Sequence, residues 1–137
     1  MAQPGFTPPQ GVDRAGLTRL VHAFYAKVRR DDVLGPIFNR EVADWPHHLD
    51  KLVNFWSSTM LRTDEYDGRP LPPHLKLPEI SDVHFARWLD LFRETARAEM
   101  PELGAPAVTA MAERIATSFR MAIAFHRGED STRIKPL

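Results

Sequence analysis

The sequence predicts an all-α fold, and three observations carry that prediction. Apolar residues recur at three- and four-residue steps in four long segments. No segment alternates apolar and polar residues as a half-buried strand does. Prolines and glycines punctuate the gaps between the periodic segments. The 137 residues suit one domain. A chain of this size hides roughly 65–70% of its unfolded surface, enough for a core and one buried pocket.

Residues 1–12 are rich in Pro, Gly and Gln and read as a loose lead-in. From Asp13, a plausible N-cap, the pattern becomes helical. Leu17, Leu20, Val21, Phe24, Tyr25 and Val28 form one apolar stripe, and this helix should end near Arg30. Leu34-Gly35-Pro36-Ile37-Phe38 then reads as a tight turn or a short distorted helix. A second long helix starts at Asp44, with Pro46 in its first turn, where proline is tolerated. Trp45, Leu49, Leu52, Trp56 and Met60 mark its face, which runs to about Arg62. A third begins near Ser81, carries Phe85, Trp88, Leu89 and Phe92, and stops around Met100-Pro101. The fourth opens at Pro106 and continues through Val108, Met111, Ile115, Phe119, Ala122 and Phe125 to about Arg127. The boundaries are therefore a lead-in at 1–12, a helical domain at 13–127 and a polar, loose tail at 128–137.

Between the second and third long helices lies a connection from Thr63 to Pro78. Connections of that length are uncommon in compact domains and are often functional. Its second half is Pro70-Leu71-Pro72-Pro73-His74-Leu75-Lys76-Leu77-Pro78, one histidine fenced by four prolines. Proline fixes φ, removes a donor and disfavours the α region in the residue before it. The segment is thus expected to be stiff and mostly extended, a mount holding one imidazole.

Composition narrows the function. Lys plus Arg and Asp plus Glu each number 18, so the net charge is zero and nothing points to nucleic acid or an anionic membrane. With no cysteine, disulfides, thiolate zinc sites and C-x-x-C-H haem attachment are excluded. No apolar run is long enough to span a bilayer, and Met1-Ala2-Gln3-Pro4-Gly5 has none of the features of a signal peptide. A cytoplasmic location is the expectation.

There are six histidines. His22 and His126 flank apolar stripes and read as solvated. Of the adjacent pair, stepping by four from His48 gives Leu52 and Trp56. The same step from His47 gives Lys51, so His48 is the candidate for a pocket. His84, four residues before Trp88, is the rival to His74. On local sequence alone, His74 is either a metal ligand or a turn histidine bonded to backbone. A zinc site needs three or four convergent ligands, and no H-E-x-x-H occurs. A Ser/His/Asp hydrolase has no nucleophile-elbow pattern to stand on.

The strings Phe24-Tyr25-Ala26-Lys27-Val28, Leu34-Gly35-Pro36-Ile37-Phe38-Asn39, Trp45-Pro46-His47-His48, Asn54-Phe55-Trp56, Pro73-His74-Leu75 and Arg87-Trp88-Leu89 occur in a definite order. Together they resemble the group III truncated haemoglobins, over residues 14–127. The resemblance implies a two-over-two helical sandwich around haem b, with the proline fence in place of a helix. It implies His74 as the proximal iron ligand and Tyr25, His48 and Trp88 as the distal residues. Phe24, Phe38, Leu52, Trp56 and Leu77 would wall the haem, and Lys51, Arg69 and Lys76 would reach its propionates. The ligands implied are O2, NO, CO or similar diatomics. Tyr O–H and Trp N–H donors in a dry pocket should each exceed the ~1 kcal/mol of an average hydrogen bond and slow ligand release. The alternative is an enzyme for nitric oxide dioxygenation or peroxidase-like chemistry. That would need a separate electron donor, since the chain has no flavin or nicotinamide domain.

Overall fold

The computed structural model describes residues 6–66 and 68–137. The first five residues of the lead-in, and Asp67 in the connection, lie outside the described residues.

Helix α1 spans Arg14–Arg30, and Asp13 caps it by accepting the Gly16 N–H at 2.7 Å. The predicted stripe from Leu17 to Val28 is its buried face. Asp31 follows at once and nucleates the next turn, its carboxylate accepting the N–H groups of Val33 and Leu34, each at 3.0 Å. Helix α2, Gly35–Glu41, starts with Pro36 in its first turn. Helix α3 is Trp45–Leu61, capped by Asp44, which accepts the His47 N–H at 3.1 Å. It ends on Arg62, whose φ of 53° is left-handed.

Helix α5 is Asp82–Glu99 and stops where Pro101 can no longer continue it. Helix α6 is Gly104–His126 and begins two residues before the predicted Pro106. The proline is still within the first turn, where its missing N–H costs nothing. The start at Gly104 depends on a close approach: a Cβ there would collide with the carbonyl of Gly11, itself at φ +78°. Those two glycines let residues of the lead-in lie on the α6 N-terminus.

The fence is where expectation and structure part. Leu71–Leu75 forms a one-turn helix, α4, rather than an extended stretch. Pro70 sits in the N-cap position with φ −74° and ψ −29°, and Pro72 and Pro73 occupy the first turn. Those positions need no intrahelical N–H, and proline's φ already suits a helix. The prolines are accommodated in a helical turn, not in an extended stretch.

Helix α1 lies against α3 and α5, α5 pairs with α6, and α4 rests on α6. The pairs α1/α3 and α5/α6 make the two-over-two sandwich. Phe92 is its hub. Its ring is 5.2 Å from both Phe24 and Trp56 and 5.4 Å from Trp88, stacked on the two tryptophans and edge-on to the phenylalanine. Such aromatic pairs are worth about 0.5–1.5 kcal/mol each beyond the area they bury.

The tail is not loose but folds back onto α5 and α6, where two arginines answer its carbonyls. A 3₁₀ turn at Ser131–Arg133 leads to Lys135, whose carbonyl accepts from Arg120 at 2.5 Å, and to Leu137, whose carbonyl accepts from Arg93 at 3.2 Å. Arg120 also forks onto Asp82 at 2.8 and 2.9 Å, tying the start of α5 to α6.

Candidate functional site

His74 stands in the last turn of α4, half-buried, with its ring edge-on to Phe119 of α6 at 5.0 Å. Its Nδ1 is 2.6 Å from the Pro70 carbonyl. A carbonyl only accepts, so Nδ1 carries the proton and Nε2 keeps its lone pair. Burial holds the imidazole below its usual pKa, opposed by the bond to Pro70. The result is a neutral histidine with one nitrogen oriented and the other free to bind a metal, the arrangement of a haem-iron ligand. Among the described residues no three His, Cys, Asp or Glu side chains converge to hold a bare ion. A single oriented imidazole fits haem, whose porphyrin supplies the other four nitrogens.

Three further candidates gather on α1, α3 and α5. Tyr25 of α1 is buried, with its ring 6.4 Å from His48, 5.7 Å from Phe38 and 6.2 Å from Trp45. Its phenol is pushed up to about 12 by burial, with the hydrogen bond from Trp88 pulling the other way. The α3 helix turns His48 toward Tyr25 and leaves His47 exposed, as the four-residue stepping predicts. His48 is held below its usual pKa by burial first, then by the fields of Lys51, His47 and His74.

The remaining residues divide by depth. Phe38, Leu52, Leu77 and Trp88 are half-buried. Phe24 and Trp56 are almost wholly enclosed, packed onto Phe92 behind Trp88. Lys51, Arg69 and Lys76 are exposed and make no ion pair with a described residue. His84 is occupied elsewhere: its Nδ1 accepts the Ser81 N–H at 3.1 Å and caps α5. A hollow of about 310 Å³ between α1 and α3 contains none of the candidate residues.

Sequence reasoning missed three participants. Trp45 is expected only as a member of the α3 stripe and of the Trp45-Pro46-His47-His48 string, with no role of its own, yet its ring lies 5.6 Å from His48 and carries the Arg29 guanidinium 4.6 Å above it. Phe119 was read as core, and its stripe position gave no sign that it would back His74. The Pro70 carbonyl, which orients His74, is a backbone atom. Four residues separate it from His74, one helical turn, and only recognition of the helix would have found it.

No family model matches the chain. It is 34% identical over 113 residues to the group 3 truncated haemoglobin ctb of Campylobacter jejuni, covering 80% of this chain and 89% of that protein. Its structure matches the crystal structure of a group III truncated haemoglobin from Campylobacter jejuni with a TM-score of 0.78 and 32% identity. That match covers 85% of this chain and 95% of the other.

Proposed function

The chain belongs to the group III truncated haemoglobins, and from that premise we propose that it binds haem b through His74 and takes O2, NO, CO or a similar diatomic on the opposite side. Haem, the cofactor the family implies, would supply an iron that accepts a small ligand. The observation that carries the reading is the state of His74. Its proton is committed to the Pro70 carbonyl at 2.6 Å, which leaves Nε2 as the lone donor of electrons.

The residues divide the work. The Pro70 carbonyl fixes the tautomer and ring plane of His74, and Phe119 limits ring rotation. Tyr25 offers an O–H to a ligand that gathers negative charge at its outer atom, and Trp88, whose one N–H donates to the phenol, steadies that donor. A phenol pushed up to about 12 keeps its proton throughout the physiological range, so Tyr25 remains a donor. His48, uncharged at neutral pH, can donate or accept. Phe24, Phe38, Leu52, Trp56 and Leu77 keep water from the haem. Lys51, Arg69 and Lys76, exposed and without ion pairs to described residues, are the cations free to meet the propionates.

Buried donors slow ligand release, and slow release favours a second reading in which the bound ligand reacts. Nitric oxide dioxygenation or peroxidase-like turnover then needs electrons from a separate partner. Among the described residues no helix is long and apolar enough to cross a membrane.

The test is the visible absorption spectrum of the purified protein. A Soret band is expected in the native chain and should be lost or severely weakened in His74→Ala. If His74→Ala keeps native spectra while His84→Ala loses them, the ligand assignment is wrong. Steady-state nitric oxide consumption with a reductase present separates the binder from the enzyme.

A further inference from the structure

The fence that carries His74 has a shortage of donors. Pro70, Pro72, Pro73 and Pro78 have carbonyls but no N–H, so this stretch of backbone holds more acceptors than it can pair internally. His74 itself answers one of them, the Pro70 carbonyl. Arg127 reaches three carbonyls at the end of the fence and just beyond it. Its Nη1 donates to the Ile80 carbonyl at 2.9 Å, and its Nη2 to Leu77 at 3.0 Å and to Pro78 at 3.2 Å. The Leu77 carbonyl also accepts the Ile80 N–H at 3.3 Å. Arginine has five donors and no acceptor, which makes it the side chain best able to bridge a run of carbonyls.

The placement of Arg127 is itself locked. It is the last residue before Gly128, which takes φ +76° and ends α6. The Gly128 N–H returns to the Phe125 carbonyl at 3.1 Å and the Glu129 N–H to Ala124 at 2.8 Å, a left-handed helix stop. On the other side of the clamp, the Leu77 N–H donates to the His74 carbonyl at 3.2 Å. One chain of contacts therefore runs from the end of α6 through Arg127 and Leu77 to His74. Phe119, two turns earlier on α6, meets the imidazole ring directly.

We propose that Arg127 is the positioning residue for the proximal histidine, holding the segment after α4 so that α6 sets where His74 stands. A helix of five residues is too short to orient a ligand by itself, and isolated helices of that length are not stable. The inference rests on the haem-binding reading above, with His74 as ligand.

The test uses full-length protein loaded with haem and compares Arg127→Ala, Arg127→Lys and, as a surface control, Arg133→Ala. The readouts are the iron–imidazole stretching band by resonance Raman and the rate of haem loss to an excess of a haem scavenger. Arg127→Ala should displace or broaden the band and speed haem loss about 10–100-fold, the range for removing support behind a metal ligand. Arg127→Lys, which keeps the charge but cannot span three carbonyls, should fall between it and native. Arg133→Ala should match native. In the apoprotein, hydrogen exchange at the Leu77 amide should quicken in Arg127→Ala. If Arg127→Ala does not fold, Arg127→Lys carries the comparison on the same two readouts. A native band and native haem loss in a folded Arg127 variant overturn the positioning role while leaving His74 as ligand. Native haem binding in His74→Ala overturns the ligand reading itself, whatever Arg127 does.

Discussion

The two walls of the proposed site are built by different means. The wall carrying Tyr25, His48 and Trp88 is made of three long helices, and every one of those side chains is aimed by helical periodicity. Behind it, Phe24, Trp56 and Phe92 fill a solid aromatic core. The wall carrying His74 is one turn of helix with no buried residue of its own. It is held by an internal carbonyl bond, by Phe119 and by Arg127, and all but the first reach it from α6. Packing sets the first wall and hydrogen bonding sets the second. Packed walls resist change in proportion to apolar area removed. Hydrogen-bonded walls lose direction before they lose stability.

The sharpest way to break that comparison is to remove a ring from each side. Phe92→Ala deletes the hub of the packed wall and should cost about 3–5 kcal/mol, as buried phenylalanines do. Phe119→Ala removes a half-buried ring that touches His74 edge-on, and should cost on the order of 1 kcal/mol. Denaturant unfolding of the apoprotein measures both. Haem loss should rank the pair the other way once the fold is restored by lowering temperature, because only Phe119 touches His74. Equal unfolding costs would mean the walls are not built differently.

Tyr25→Phe probes a polar contact inside the packed wall. The phenol accepts from Trp88, and without it the indole N–H loses its partner. The expected cost is about 1–2 kcal/mol, the range for a lost hydrogen bond that leaves its donor unpaired. In the haem-loaded protein the same substitution should speed ligand release, and Trp88→Phe should do so too. Unchanged off-rates in both variants, measured by stopped-flow displacement, would leave His48 as the only distal contributor.

The same division explains what could be read from the sequence. The four long helices, the caps at Asp13 and Asp44 and the choice of His48 over His47 all follow from spacing, because period and cap chemistry are local. The stripe on α1 and the face of α3 needed nothing from the rest of the chain. The fence was misread as extended because proline's restrictions were weighed as for a helix interior. In a single turn every proline falls where its N–H is not required. The clamp was out of reach for another reason. Arg127 ends a helix, where an arginine is usually only a favourable charge near the dipole. Its partners lie 47 to 50 residues earlier and are backbone carbonyls, which no side-chain pattern reports. His84 had a legible alternative all along: three residues after Ser81, it stands where a capping side chain belongs.

The smallest expected effect is a difference in acid sensitivity, and it tests which seams hold each wall in place. Asp31 sits at the end of α1 and binds Arg87 of α5, one residue before Trp88, at 2.6 Å. Burial raises its pKa, but the N–H groups of Leu34 and Val33 and the Arg87 guanidinium together outweigh burial and leave it below the ordinary value. Asp82 is lowered chiefly by its bond to Arg120, which joins α5 to α6 near the fence. Both groups favour the ionised form when folded, so the unfolded chain binds more protons and stability rises with pH through this window. Their contributions are complete above the unfolded value of 3.8 and are lost as pH falls through the lower folded values. The Asp31 carboxylate is only 5% exposed, whereas that of Asp82 is 60% exposed and screened by solvent. Asp31→Asn should therefore flatten the fall in stability below about pH 4. Asp82→Asn should leave most of that fall in place. Urea midpoints at pH 3, 4 and 6 for both variants measure the difference. A larger flattening in Asp82→Asn would place the acid-sensitive seam beside His74 rather than beside Trp88.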